Sequence, residues 1–273
     1  MNKLDTNNCA NCPVHNVSNL KKLGINMKDY NYVVALAGNP NTGKSTVFNN
    51  LTGLKQHTGN WPGKTVARAE GGFEFNDSKF KLVDLPGTYS LLSTSTDEEV
   101  ARNFILFGQP DVTVIVVDAT RLERNLNLVL QILEITDRAV LCLNLLDEAR
   151  RNKIEVDDRQ LSKDLGIPVI RTEARQSIGM NELINSIHDV ASGKTVCKPY
   201  RLKNKSKGLS DAIEKLTLSI KEVFQDLPNA TWVALRLLEG DQSVIEAVKT
   251  GELGSLKEIE SSAGENHFGA ETA

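Results

Sequence analysis

ALAGNPNTGKSTVFN, residues Ala35–Asn49, carries G-x-x-x-x-G-K-[ST] from Gly38 to Ser45. It follows the apolar run Tyr32–Ala37 and precedes a helix-like segment over Lys44–Leu51. A phosphate-binding loop needs that order. Glycines let backbone N–H groups close around phosphate oxygens, and the helix N-terminus adds positive potential. The segment Asn39, Pro40, Asn41, Thr42, Gly43, Lys44, Ser45 and Thr46 is therefore expected to cradle a phosphate chain. Lys44 reaches the β- and γ-phosphates, and the Ser45 hydroxyl ligates Mg2+.

Three further motifs follow in order. Asp84-Leu85-Pro86-Gly87 ends an apolar strand 40 residues after Lys44. Asp84 is expected to hold a Mg-bound water, and the Gly87 N–H to meet a γ-phosphate and sense its loss. Asn144-Leu145-Leu146-Asp147 follows the strand AVLCL. The Asp147 carboxylate accepts from guanine N1–H and the exocyclic amine, a donor pair that adenine lacks. Asn144 braces the loop, and Leu145 stands where a lysine is usual. Thr172-Glu173-Ala174 completes the set, with the Ala174 N–H aimed at guanine O6 and Glu173 where a small residue is common. Between the first two motifs lies QHTGNWPGKT, Gln56–Thr65, whose Thr65 suits a first switch contacting Mg2+ and the γ-phosphate. The flanking Gly59, Pro62 and Gly63 predict a loop in which Trp61 is an exposed, mobile contact residue. His57 reads as a surface histidine.

Around these motifs strands alternate with helices. Val66–Phe75 and Phe80–Asp84 form a hairpin through Asn76-Asp77-Ser78. Val112–Asp118, Ala139–Leu143 and Val169–Thr172 are further strands, the first β-branched almost throughout as a doubly buried strand should be. Thr96-x-x-Glu99 reads as a capping box opening a helix that ends near Gly108. Helices over Leu122–Thr136, Asp157–Leu165 and Gly179–Ala191 fill the alternation. The pattern predicts an α/β, doubly wound, mostly parallel six-stranded sheet with one antiparallel strand. Domain boundaries are set at 1–31, a loosely ordered extension; 32–193, the nucleotide-binding domain; and 194–273, a small α-helical domain and tail. From Leu209 the apolar residues recur at three- and four-residue spacing without strand alternation.

Bulk properties narrow the classes. A net charge of −3 over 273 residues gives no basic field for nucleic acid. No apolar run reaches the ~18–20 residues of a membrane span, and the N-terminus has no signal segment. The chain as given reads as cytosolic. Of four cysteines, Cys142 lies in an apolar run and Cys197 in a polar linker. Cys9 and Cys12, followed by His15, lack the second C-x-x-C of a structural zinc site. They read as free thiols in a tail, with an incomplete three-ligand site as the alternative.

GNPNTGKSTVFN, GNWPGKTV, DLPGTYSL, NLLDEA and TWVALRLLEGD together resemble the cytoplasmic N-terminal region of the ferrous-iron transport protein B family, over about Tyr32 to Asp241. The resemblance implies a Ras-like P-loop GTPase domain followed by a helical domain that favours GDP binding. In the whole protein these precede a membrane-spanning iron permease, expected as a partner within the same polypeptide in the bacterial cytoplasmic membrane. The implied cofactors are GTP or GDP, Mg2+ held by Ser45, Thr65 and Asp84, and an activating K+ held by Asn41. Asn41, Lys44, Thr65 and Gly87 are the expected catalytic set. Thr88 follows Gly87 where Ras-like enzymes carry a water-orienting Gln. The expected activity is therefore slow GTP hydrolysis, stimulated by K+. Homo-oligomerisation is left open. The alternative, a soluble ribosome-assembly GTPase that binds RNA, would want a basic or KH-like appendage, which the C-terminal region does not supply. A non-catalytic nucleotide-binding module is the third reading.

Overall fold

β1 (Tyr32–Gly38) is buried from Val33 onward on both faces, which is why its sequence is continuously apolar rather than alternating. In the computed structural model it lies at the centre of a seven-stranded sheet of order β2-β3-β4-β1-β5-β6-β7. The structure describes residues 20–21, 23–92, 95–201, 207–224, 227 and 229–250. The remaining strands are β2 (Gln56–Asn60), β3 (Ala67–Phe75), β4 (Ser78–Asp84), β5 (Val112–Asp118), β6 (Ala139–Asn144) and β7 (Val169–Arg171). β1, β4, β5, β6 and β7 pair in parallel, while β3 runs against both β2 and β4. Parallel pairing sends the carboxyl ends of five strands to one edge of the sheet. There the chain leaves Gly38, Asp84, Asp118, Asn144 and Arg171, and in open α/β sheets ligands bind at that edge.

The expected α/β sheet with one antiparallel strand is present, with seven strands instead of six. The added strand, β2, falls in the segment expected to be loop. Its residues from His57 to Asn60 are exposed, so an edge strand here needs no apolar alternation.

The described helices are α1 (Lys44–Thr52), α2 (Thr96–Gly108), α3 (Leu122–Ile135), α4 (Leu146–Arg151), α5 (Asp158–Leu165), α6 (Met180–Ala191), α7 (Lys207–Val223), α8 (Ala230–Leu238) and α9 (Gln242–Thr250). One core joins Val34, Leu36, Phe80, Val114 and Cys142 of the sheet to Val47, Phe48 and Leu51 of α1 and Leu183, Ile187 and Val190 of α6. Fully burying each such side chain contributes roughly 1.5–3 kcal/mol. Leu128, Val129 and Ile132 of α3 are buried as well. α2 starts one residue earlier than the capping-box reading implied: Ser95 is the N-cap and its Oγ accepts from Glu98 N–H at 3.2 Å. α4 was not expected at all.

The chain divides into two compact units, Met1–Ser210 and Asp211–Ala273. In the second, α8 and α9 pack together, and Trp232, Val233, Val244 and Ala247 are buried. Within the first unit, part of the expected loosely ordered extension is packed: Leu20 and Ile25 are buried, and Leu23 O accepts from Arg68 at 3.1 Å. Cys9, Cys12 and His15 lie outside the described residues. Among the described residues, no helix is long and apolar enough to cross a membrane.

Candidate guanine-nucleotide site

The loop Asn39–Gly43 turns from β1 into α1 through two left-handed residues, Asn41 (φ 65°) and Gly43 (φ 83°). Asn tolerates this conformation. At Gly43 any side chain is excluded twice over, by the dihedral and because a Cβ would lie 2.4 Å from Asn144 Nδ2. Thr42 Oγ1 donates to Asn39 O at 3.0 Å and closes the loop on itself. Asn39 is buried, and neither its Oδ1 nor its Nδ2 has a hydrogen-bond partner. An orphaned buried amide in this loop fits a polar ligand, because burial without a partner is costly. Pro40 and Lys44 are half-buried, and Asn41, Ser45 and Thr46 are exposed.

Lys44 crosses to the end of β4. Its Nζ donates to Asp84 Oδ1 and, at 2.7 Å, to Leu85 O. Burial pushes the Asp84 carboxyl up from its ordinary value, and the Lys44 cation offsets part of that rise. Gly87 packs against Pro40, and a Cβ there would sit 3.4 Å from its backbone. Thr88 is buried and its N–H donates to Gly38 O at 3.4 Å. The residue in the place of a water-orienting Gln is thus buried and tied through its backbone to the end of β1.

Asn144, only 1% exposed, ties the loop after β1 to the loop after β7. Its Nδ2 donates to Thr42 O at 3.0 Å. Its Oδ1 accepts from Thr172 Oγ1 at 3.2 Å and from Ala174 N–H at 3.0 Å. Leu145 follows in the left-handed region (φ 61°), a conformation that costs an ordinary residue about 1–3 kcal/mol and collects at functional sites. Asp147 sits in the first turn of α4, with Oδ2 held by Arg151 Nη2 at 3.2 Å. Glu173 is buried and accepts from Arg150 Nη2 at 2.6 Å.

Four contacts here were not foreseen. Asn50 Nδ2 donates to Ala174 O at 2.5 Å, and Ser177 Oγ donates to Asn50 Oδ1 at 3.1 Å, so α1 also holds the loop after β7. Arg150 and Arg151 are the other two partners. Their spacing from Asp147, i+3 and i+4, is a helix signal that depends on recognising α4 first.

Thr65 stands apart from this cluster. It is exposed in the turn after β2, which closes through Trp61 N–H to Val66 O and Lys64 N–H to Trp61 O, both 3.0 Å. Lys64 pairs with Glu99 of α2 at 3.0 Å. The expectation of an exposed, mobile Trp61 is overturned. Trp61 is 4% exposed, packs edge-on against Phe104 at 5.4 Å, and carries the Arg68 guanidinium over its ring. Its large apolar area favours the pocket over solvent despite the glycines around it.

Comparison with known proteins agrees with this arrangement. The family model for ferrous iron transport protein B matches residues 32–187, and that for the FeoB cytosolic helical domain matches residues 206–272. The Fe(2+) transporter FeoB of Shigella flexneri is 41% identical over 214 residues, covering 76% of this chain and 27% of that protein. The chain therefore spans about a quarter of the length of the curated relatives it matches. The cytosolic domain of the T. maritima FeoB iron transporter in a GDP form superposes with a TM-score of 0.72 at 37% identity, covering 83% of this chain and 88% of that one. The FeoB G-domain of Methanococcus jannaschii gives 0.53 at 46% identity, covering 59% and 97%. With both halves of the family's cytosolic region matched in order, and its motif residues other than Thr65 gathered at one sheet edge, the chain belongs to the ferrous iron transport protein B family.

Proposed function

We propose that this chain binds and hydrolyses GTP and that its nucleotide state regulates ferrous-iron passage through a membrane permease portion of the same protein. The observation that carries the reading is Asn144, which hydrogen-bonds at once to the phosphate loop and to the loop carrying Ala174. The T. maritima relative's GDP form supports guanine as the base, and the matched helical segment does not favour an RNA-binding appendage.

In this reading Asp147 accepts the guanine donor pair, and the Ala174 N–H exchanges Asn144 Oδ1 for guanine O6. Lys44 exchanges Asp84 and Leu85 O for the β- and γ-phosphates. The exchange frees Asp84, which with Ser45 and Thr65 offers the hard oxygen donors that suit Mg2+. Thr65 must move inward to contribute, which makes the 61–66 turn the first switch. When bound, Mg2+ and K+ supply positive charge against the phosphate oxygens. Water attacks the γ-phosphorus, the bond to the β–γ bridging oxygen breaks, and GDP and phosphate leave. Gly87 N–H steadies the γ-phosphoryl oxygens. Asn41, exposed at the loop crest, is assigned to hold K+. Buried Thr88 leaves the water without a side chain to orient it, so the unassisted rate is slow.

The test is GTP turnover in potassium against sodium. Potassium accelerates hydrolysis, Asn41→Ala removes the acceleration, and GDP affinity stays nearly intact because the ion acts mostly in the transition state. Equal rates in the two salts refute the role of Asn41.

A further inference from the structure

Glu173 is an unusual occupant of a base-reading loop, and its surroundings give it a task. It is 7% exposed, and a buried carboxylate needs a partner. Arg150 Nη2 supplies one at 2.6 Å, from a side chain that remains 72% exposed. The Glu173 backbone is fixed too: its N–H donates to Ile178 O at 3.1 Å and its carbonyl accepts from Ile178 N–H at 3.3 Å. Residues 173–178 thus form a closed loop with Ala174 inside it. Asn144 holds that loop to the end of β6, and Asn50 holds it to α1. Its ion pair to α4, the helix that carries Asp147, is Arg150–Glu173. The adjacent Arg151 holds the Asp147 carboxylate itself. Two consecutive arginines on one helical turn therefore grip the two elements that read the base.

We propose that Arg150 and Glu173 act as a clasp between α4 and the 173–178 loop, and that this clasp sets how long a guanine nucleotide stays bound. The proposal rests on the guanine-site reading above. Asp147 must meet N1–H and the exocyclic amine while the Ala174 N–H meets the neighbouring O6 on the same edge of one purine, and the ion pair sets the separation of the two groups. Arg150 is a positioning residue: it acts on the base through Glu173 and α4. Opening the clasp loosens the base end of the site and leaves the phosphate end untouched. GDP and GTP affinities then fall by the same factor, KM rises, and turnover at saturating GTP changes little. Because hydrolysis is slow, KM reports substrate affinity. The exposure of Arg150 keeps the effect at the low end of measured couplings, about fivefold.

The experiment measures release of fluorescently labelled GDP from the chain and its variants by stopped flow, alongside KM and kcat for GTP. Arg150→Ala is expected to speed release about fivefold and raise KM by a similar factor. Arg150→Lys restores part of the residence time, and adding Glu173→Ala to Arg150→Ala gives no further acceleration. Circular dichroism confirms that each variant is folded. A variant that melts earlier yet releases GDP at the unmodified rate shows a merely structural pair and overturns the clasp. So does additive acceleration in the double variant. Tight GDP binding by the unmodified chain with unchanged release in Arg150→Ala overturns the clasp alone, while no GDP binding by the unmodified chain overturns the guanine site and the clasp together.

Discussion

Replacing Asn144 with alanine removes three hydrogen bonds in one step: to Thr42 O at 3.0 Å, from Thr172 Oγ1 at 3.2 Å and from Ala174 N–H at 3.0 Å. Each is worth roughly 0.5–1.5 kcal/mol net, so the loss in unfolding free energy is about 3 kcal/mol. Burial sharpens the estimate, since Asn144, Thr42, Thr172 and Ala174 are each at most 2% exposed and water does not replace the lost partner without rearrangement. The same change unties the phosphate loop from the base loop, so GDP affinity falls at least about tenfold even though Asp147 and Lys44 are untouched. Asn144→Asp separates the two effects. It keeps the acceptor for Thr172 and Ala174 but sets a carboxylate oxygen against Thr42 O, so its damage concentrates in the phosphate loop. Urea unfolding without nucleotide measures the first quantity and a labelled-GDP titration the second. A stability loss below about 1 kcal/mol together with unchanged GDP affinity would refute the bracing argument.

Other expectations follow from single contacts. Lys44→Ala severely weakens triphosphate binding, whereas Thr65→Ala spares GDP and slows GTP hydrolysis; normal turnover in Thr65→Ala would mean that Thr65 is not the switch threonine. Burial raises the Asp84 carboxyl above its ordinary value of 3.8, so its contribution to stability is present at low pH and is lost as pH rises through the raised value. Compared with Asp84→Asn, the unmodified chain should therefore lose stability as pH rises above the ordinary carboxyl value of 3.8, and a pH-independent gap in urea unfolding would remove burial as the cause. Cys9→Ser with Cys12→Ser leaves GTP binding and hydrolysis unchanged; a stoichiometric metal in the purified chain, absent from the double variant, would overturn the reading of free thiols.

The motif loops were legible because their chemistry requires fixed residue types at fixed places: Gly43 has no room for a Cβ, and Asn144 needs both a donor and an acceptor. The parallel strands were legible because burial on both faces leaves a continuous apolar run, as in Val112–Asp118. β2 was not, because an exposed edge strand leaves no hydrophobic pattern. Trp61 was misread because its burial depends on Phe104, a contact 43 residues away, and its neighbours Gly59, Pro62 and Gly63 point the other way. α4, six residues long, is too short to show periodicity, and Arg150 went unnoticed with it. Asn50 gave no signal, since a polar residue near a helix end is ordinary until the base loop folds beside it.

The most direct test of the account is the ratio of GDP to ADP affinity in this chain. An unpaired Asp147 carboxylate facing adenine costs about 3 kcal/mol, which is at least ~100-fold in favour of GDP. The account predicts that preference in the unmodified chain and its near disappearance in Asp147→Ala. Equal affinity for GDP and ADP in the unmodified chain would contradict it.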